Sequence, residues 1–520
     1  MQQRVSQYTR FCPNEPKIPI SDAVCLGRRR SHYPYCPGCQ FNDDEKKAAA
    51  SAGGAARVQE TTRMLDAIFK AYDVRGTVPN QLNEDLAYKI GQGTAMFLQS
   101  QLRGVERGDP DAARLILGRD MRKSGPALCA AFSEGARAAG SAVVNIGMID
   151  TPQVYFAVNH LRCAGGVQTT ASHNPGHYNG FKISGRGGAP VGSDTGLADI
   201  KRLAQTVVRR DEAKAPVSEI DLTAPYKAFV RGFLHPPRPM RVVVDASNGM
   251  AGKWAPILFG DLDALDVTWL NLEHNGEFVH EPNPLVEANL RQLRDEVRRI
   301  GADFGVCFDG DADRLILVDE HAAPVRCDLL TALLAREFLR TSPGATVVYD
   351  LRSSRVVAEE IRSAGGRPRR ERVGHAFMKK ALSETKGVFG GELSGHFYFR
   401  DNWFCDSGML AFAHVLNVLT REGKPLGELL APLKRYAASG ERNFENEDKD
   451  GAIQRLAERF KDARVDFVDG ITVQYETWWF NVRKSNTEPL LRLNLEAATP
   501  ELLAEKLNLI AKDLGKPVEH

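Results

Sequence analysis

Short apolar runs that end in aspartate recur along the chain. Leu115-Ile116-Leu117-Gly118-Arg119-Asp120 is the first, Val242-Val243-Val244-Asp245 the second and Val347-Val348-Tyr349-Asp350 the third. Each reads as a strand and is followed by a small polar turn: Arg122-Lys123-Ser124-Gly125, Ser247-Asn248-Gly249 and Arg352-Ser353-Ser354. Helix-like sequence comes next. After the first turn Leu128, Ala131, Phe132, Gly135, Ala136 and Ala139 form one face at three-and-four spacing; after the third, Val356, Val357, Glu360, Ile361 and Ala364 do so less cleanly. Gly140 and a second strand from Ala142 to Ile146 close the first unit. Strand, helix and strand at this size predict parallel pairing through crossovers. The pattern therefore predicts three α/β domains of similar construction.

The periodicity changes near the C-terminus. Leu456 to Phe460 reads as helix, and Asp469-Gly470 as a tight turn between strands Val465 to Val468 and Ile471 to Tyr475. Trp478 to Val482 and Leu490 to Leu495 read as further strands, and 498–514 as a helix. This predicts a smaller α+β domain. Residues 1–60 differ again, with five prolines, the basic run Arg28-Arg29-Arg30, four cysteines and an Ala/Gly/Ser-rich linker at 46–56. The expected divisions are 1–60 for this extension and linker, then 61–220, 221–324, 325–437 and 438–520 for the four domains.

Composition narrows the class. A chain of 520 residues exceeds one hydrophobic core, and 43% hydrophobic with 26% charged residues is ordinary for a soluble protein. A net charge of +2 gives no reason to expect nucleic acid. No apolar run is long enough to span a bilayer, and no apolar stretch follows the early arginines as in a secretory signal. A cytoplasmic protein is expected, without membrane or nucleic-acid partners. Cys129, Cys163, Cys307, Cys327 and Cys405 are scattered and expected to be inert core thiols. Cys36-Pro37-Gly38-Cys39 could aim two thiolates at one Zn²⁺, with Cys12 and Cys25 as the other pair. Their wide spacing is wrong for a ribbon, so chance thiols in a poorly ordered extension are the competing account.

Chemistry concentrates in four stretches. In Thr169-Thr170-Ala171-Ser172-His173-Asn174-Pro175 a hydroxyl is flanked by small residues and a histidine, and Pro175-Gly176 stops regular structure. It reads as a rigid loop presenting Ser172 to a cleft, where the serine carries a phosphoryl group to and from a sugar. In Asp309-Gly310-Asp311-Ala312-Asp313-Arg314 three carboxylates at alternate positions can converge on a cation, and hard oxygen ligands suit Mg²⁺. The alternatives are a solvated acidic turn or a calcium loop, but Arg314 stands where the calcium loop demands glycine. Gly390-Gly391-Glu392-Leu393-Ser394-Gly395-His396 offers a carboxylate, a hydroxyl and an imidazole to sugar hydroxyls, or is simply a glycine-rich turn. Arg483-Lys484-Ser485-Asn486-Thr487-Glu488-Pro489 can grip a phosphate, or is a hairpin loop with an Asn turn. Tyr72-Asp73-Val74-Arg75-Gly76 and Gly374-His375 would carry no weight alone.

Together, and in this order, these motifs resemble the α-D-phosphohexomutase superfamily over roughly residues 64–497. The resemblance implies four domains around a central cleft, three of mixed α/β build plus the C-terminal α+β domain, each giving one loop. It implies interconversion of hexose 1-phosphate and hexose 6-phosphate through a phosphoserine and a hexose 1,6-bisphosphate. Ser172 matches the phosphoserine, with His173 and Asn174 beside it. Asp309, Asp311 and Asp313 match the Mg²⁺ ligands, completed by a phosphoserine oxygen, and Arg314 the arginine that follows. Glu392 and Ser394 match the sugar clamp. Arg483, Ser485, Asn486 and Thr487 match the loop on the non-reacting phosphate. Tyr72, Arg75, Lys182, Gly374, His375 and His396 match further cleft residues. Lys182, His396, Arg75 and His375 are the catalytic candidates, Lys182 foremost because it follows Ser172 closely. Tyr178-Asn179-Gly180-Phe181-Lys182 and Glu392-Leu393-Ser394-Gly395-His396 are most similar to the bacterial phosphomannomutase/phosphoglucomutase branch. Ala312 is also a spelling of the phosphoglucosamine mutase branch, which leaves that substrate as the alternative, and a metal-dependent sugar phosphatase as a more distant one. The expected partner is a phosphorylated hexose, and the expected state a monomer or homodimer.

Overall fold

The computed structural model describes residues 10–12, 15–20, 24–25, 28, 59–104, 106, 109, 111–207, 209, 214–485 and 490–518. The chain divides into two compact units, residues 1–66 and 67–520. In the first, β1 (Arg10–Cys12) and β2 (Glu15–Ile20) pair as an antiparallel hairpin. Cys25 is buried and free; Cys36 and Cys39, and the side chain of Cys12, lie outside the described residues.

Among the described residues the second unit holds four sheets. The first contains β3 (Val74–Thr77), β4 (Leu115–Arg119), β5 (Val143–Met148), β6 (Gly165–Thr169), β7 (Tyr178–Gly185) and β8 (Val217–Glu219), in the order β3-β7-β6-β4-β5-β8. The second contains β9 (Met240–Asp245), β10 (Leu265–Leu270), β11 (Phe304–Phe308) and β12 (Leu315–Val318), in the order β10-β9-β11-β12. The third contains β13 (Thr346–Asp350), β14 (Arg367–Glu371), β15 (Phe389–Gly391), β16 (Phe397–Phe399) and β17 (Cys405–Asp406), in the order β14-β13-β15-β16-β17.

These three sheets share a plan. The predicted apolar strands are β4, β9 and β13, and each is flanked on both sides by parallel partners. A strand buried on both faces has no polar face to alternate, hence the unbroken apolar runs. The next strand along, β7, β12 or β16, turns back antiparallel. The aspartate closing each apolar strand is fully buried and accepts a backbone N–H two residues on: Asp120 from Arg122 at 2.9 Å, Asp245 from Ser247 at 2.9 Å and Asp350 from Arg352 at 2.8 Å. This side-chain turn ends the strand and redirects the chain into the helix.

The helix Gly125–Ala138 begins with Pro126 in its first turn, where a missing N–H costs nothing, and buries Leu128, Phe132, Gly135 and Ala136. It crosses the helix Glu84–Gln101 so closely that a Cβ on Gly135 would lie 1.9 Å from the Tyr88 carbonyl.

The fourth sheet is wholly antiparallel, in the order β19-β20-β21-β22-β18-β23. Its strands are β18 (Ala437–Glu445), β19 (Arg464–Asp466), β20 (Ile471–Gln474), β21 (Trp478–Lys484), β22 (Leu490–Ala497) and β23 (Lys516–Val518). The expected turn sits at Asp469-Gly470, with Gly470 left-handed at φ +65°, but the preceding strand stops at Asp466. Exposed Phe467 and Val468 belong to the turn rather than to a pleated face. The helix expected at 498–514 is Pro500–Leu514. β3 and β18 carry no clear apolar alternation and are not legible as strands in the sequence.

One continuous apolar core runs through the first three domains, from Ile116 to Leu433, whereas the fourth has its own around Leu456, Phe480, Leu493 and Ile510. Ion pairs link the fourth domain to the third: Arg352 with Glu441, Arg355 with Glu496 and Arg370 with Asp466.

Candidate active site

The serine loop, the aspartate loop and the Glu392-to-His396 loop occupy the same place in their domains. Each joins the third strand of the shared plan to its antiparallel fourth: β6 to β7, β11 to β12, β15 to β16. Each contains a left-handed residue, Ser172 at φ +50°, Ala312 at +58° and Gly395 at +85°. A serine there is uncommon and must be held by its surroundings.

Arg122 does the holding. It is fully buried, and its guanidinium donates to four backbone carbonyls of the loop: Ser172 (2.8 Å), Asn174 (2.6 Å), Pro175 (2.6 Å) and Tyr178 (3.0 Å). Its Nε donates to Asp120 Oδ2 at 3.1 Å, and Thr170 Oγ1 donates to the same oxygen at 2.7 Å while accepting the Ser172 N–H at 2.9 Å. Arg75 Nη1 fixes the Asn174 side chain and Nη2 pairs with Asp73, each at 2.5 Å. Asp120 and Arg122 were visible in the sequence as the end and turn of the repeated strand. Nothing there showed that the turn faces a loop fifty residues on.

The Ser172 hydroxyl, fully buried, donates to Asp309 Oδ2 at 2.9 Å. Oxygens of Asp309, Asp311 and Asp313 lie within 4.8 Å of one another, and all three residues are buried. Lys182 Nζ, from β7, donates to Asp311 Oδ2 and Asp313 Oδ2, each at 2.6 Å. Thr151, absent from the sequence motifs, donates through its hydroxyl to Asp311 and through its N–H to the Asp311 carbonyl. Burial and repulsion from Asp313 and Asp311 push the Asp309 carboxyl well above its ordinary range. Burial acts the same way on Asp313, but Lys182, His396 and Arg314 outweigh it and hold that carboxyl well below. Asp311 Oδ1 and Asp313 Oδ1 are buried with no hydrogen-bond partner. Asp313 Oδ1 has His396 Nε2 at 3.4 Å, whereas a buried carboxylate oxygen such as Asp311 Oδ1 is costly unless a cation meets it, so this oxygen set fits a hard divalent metal.

Arg314 and the third loop adjoin the triad. Arg314 Nε stands 3.7 Å from Asp309 and 3.1 Å from His396 Nε2. His396 lies 3.4 Å from both Asp313 and Glu392, and Ser394 Oγ meets its Nδ1 at 2.9 Å. Burial and Arg314 push the imidazole down, but Asp313 and Glu392 carry it up to about 9. Glu392 accepts the Gly374 N–H at 2.9 Å and the Tyr398 hydroxyl. His375 packs edge-on against Tyr72 at 5.4 Å, and burial drives its pKa well down. The same cause, with Arg314 and Arg75, lowers His173, whose Nδ1 lies 3.5 Å from Ser172 Oγ.

Arg483 and Ser485 stand at the end of β21, with the Ser485 N–H closing the loop onto the Leu490 carbonyl at 2.9 Å. Asn486 and Thr487 lie outside the described residues. A chain of contacts reaches the Glu392-to-His396 loop: Arg483 to Glu441 (3.0 Å), Glu441 to Arg352 (3.5 Å), Arg352 to Asp350 (2.7 Å) and Asp350 to the Leu393 N–H (2.8 Å).

All four domains of the phosphoglucomutase/phosphomannomutase family match this sequence in order: α/β/α domain I at residues 66–210, domain II at 227–322, domain III at 327–436 and the C-terminal domain at 441–512. The chain belongs to this family. It is 38% identical over 445 residues to a Xanthomonas campestris protein named for phosphohexose mutases, covering 84% of this chain and 96% of that one. It is 37% identical over 442 residues to the phosphomannomutase of Escherichia coli K12, covering 82% and 94%. A crystal structure of a phosphoglucomutase/phosphomannomutase family protein from Burkholderia thailandensis superposes with a TM-score of 0.78 at 33% identity, covering 86% of this chain and 96% of that one. The chain is thus a phosphohexomutase, an enzyme of a metal-dependent family whose phosphosugar chemistry suits the site, and its buried acidic triad can bind a metal. Among the described residues no helix is long and apolar enough to cross a membrane.

Proposed function

We propose that this enzyme interconverts the 1-phosphate and 6-phosphate of mannose and glucose through a phosphoryl group carried on Ser172 and a hexose 1,6-bisphosphate. The observation that carries this reading is the Ser172 hydroxyl, 2.9 Å from Asp309 at the edge of a buried three-carboxylate cluster. A hydrolase-type serine would need its histidine oriented by a carboxylate. The structure gives His173 no such partner among its described contacts, and the serine faces the acidic cluster instead.

Asp309, Asp311 and Asp313 would hold Mg²⁺, which supplies charge neutralisation to the transferring phosphoryl group. Arg122, Thr170 and Arg75 keep the serine loop in its strained form, so positioning is set before substrate arrives. The Lys182 ammonium lies beside the same carboxylates and stabilises charge on the group in transit, with His396 and Arg314 on the other side. Glu392, with Ser394, accepts hydrogen bonds from adjacent sugar hydroxyls. His375, held neutral by burial beside Tyr72, can accept a hydrogen bond from a sugar hydroxyl. Arg483 and Ser485 would hold the phosphate that does not react. The bisphosphate then turns around to present its other phosphate to Ser172. Six free buried cysteines among the described residues suit the cytoplasm, where we place the enzyme as a monomer or homodimer.

The test is turnover of mannose, glucose and glucosamine 1-phosphates in parallel, with catalytic hexose 1,6-bisphosphate. Mannose and glucose phosphates should isomerise well and glucosamine phosphate poorly. Ser172→Ala and divalent-metal chelation should each remove nearly all turnover. Activity that survives both would overturn the assignment, and release of inorganic phosphate alone would replace the mutase by a phosphatase.

A further inference from the structure

Glu441 belongs to none of the sequence motifs, yet three guanidinium groups converge on it. Arg483 Nη2 donates to Oε2 at 3.0 Å, Arg492 Nη1 to Oε1 at 2.9 Å, and Arg352 Nη1 stands 3.5 Å from Oε2. Asn494 Nδ2 adds a contact at 3.4 Å. Glu441, Arg483 and Arg492 come from three adjacent strands of the fourth domain, β18, β21 and β22, whereas Arg352 follows β13 in the third. Arg483 is buried, and its Nε has no hydrogen-bond partner. Burial and the like charge of Arg352 both lower the Arg483 pKa, so this cation needs an anion beside it.

A carboxylate and a phosphate use a guanidinium in the same way, through paired charge-assisted hydrogen bonds. If the Arg483 loop grips the ligand's phosphate, as proposed above, the phosphate arrives where Glu441 already sits. We propose that Glu441 is a built-in competitor for the ligand's phosphate, pairing with Arg483 and Arg492 beside Arg352 in the free enzyme and opposing the phosphate in the complex. The device has a use in this reaction. The bisphosphate must release its distal phosphate, turn, and be gripped again by the other end. A site that binds every phosphorylated state more tightly slows release without helping the transfer step. A resident carboxylate weakens the grip equally for both orientations. It also ties the third and fourth domains together when no ligand does.

Inhibition of the full-length enzyme by inorganic phosphate tests this. Glu441→Gln removes the negative charge while keeping the side-chain shape. Its inhibition constant for phosphate should fall about tenfold, with KM for hexose 1-phosphate and kcat falling together. Glu441→Asp keeps the charge and should stay close to the natural chain. An unchanged or higher inhibition constant in Glu441→Gln overturns the inference, and so does an equal fall in Glu441→Asp. If circular dichroism shows that Glu441→Gln does not fold, Glu441→Ala reads the same quantity. Arg483→Gln separates the two proposals. If it leaves phosphate inhibition intact, phosphate is not gripped there and both fall. If it removes inhibition and Glu441→Gln does not strengthen it, only the competitor role falls.

Discussion

Arg122 shows how much of this site rests on a side chain that need not touch substrate. Its guanidinium spans four carbonyls of the serine loop and pairs with Asp120, all away from solvent. Lysine is a point charge and cannot reproduce that fork. Arg122→Lys should therefore leave the metal requirement unchanged and lower kcat roughly 100-fold, the size of effect that misplacing a reacting group produces. Steady-state kinetics on folded protein would show it. Arg122→Met should also destabilise the chain by about 3–5 kcal/mol in urea unfolding, because Asp120 would be left buried without its partner. Lys182→Met removes the only described ammonium from the Asp311–Asp313 pair. It should cut turnover at least about 100-fold, within the range of one preorganised electrostatic group, while lowering the metal concentration needed for half-maximal activity. Tighter apparent metal binding with lost turnover separates an electrostatic role from misfolding. The Ser172, Asp309-to-Asp313 and Glu392-to-His396 stretches were legible as a candidate site because their residue types are dense and unusual at those spacings. Arg122 and Thr151 were not, since their partners lie fifty and more residues away and an isolated arginine or threonine has no local signature.

At the scale of elements, three loops share one topological position, between a parallel strand and the antiparallel strand that ends each repeat. The sequence showed the apolar strands and the loops separately. It could not show their common position, because strand order within a sheet is a property of pairing and not of local pattern. The serine and aspartate loops meet through backbone. A Cβ on Gly310 would lie 2.4 Å from the Ser172 carbonyl oxygen, and that atom is fixed by Arg122. Gly310→Ala should fold and still bind metal, yet lose about 100-fold or more in kcat, because the two loops cannot both keep their places. Wild-type turnover with an unchanged circular dichroism spectrum would show that the loops yield freely. The strand expected to run to Val468 ends at Asp466 for a related reason. The two apolar residues that extended the prediction lie in the hairpin turn and remain exposed.

Across the whole molecule, the first three domains are joined by a continuous apolar core, whereas charged pairs link the fourth to the third. Glu496 in one of these pairs is buried, so removing its charge or its partner's would leave an ion unpaired away from water, and the pairing holds the fourth domain on the third. Its docking has an acid limit. Burial works against the Glu441 carboxylate, but Arg352, Arg483 and Arg492 hold it at about 2, below its usual 4.5. A lowered carboxylate stabilises the fold fully above pH 4.5, and that contribution is lost as pH falls through about 2. Urea midpoints of the natural chain should drop across that interval, and Glu441→Gln should flatten the drop; parallel curves would show that the cluster adds nothing to stability. The sequence by itself determined the three-plus-one domain pattern and the strands that are buried on both faces, and it marked the serine, aspartate and Glu392-to-His396 loops as dense clusters of functional groups, because hydrophobic period and local chemistry are local properties. Only the tertiary structure decided that Asp120 and Arg122 serve the serine loop, that Thr151 holds Asp311, and that Glu441 joins arginines of two domains. Those are pairings of charges and donors far apart along the chain, and burial gives them their strength only after the chain has folded.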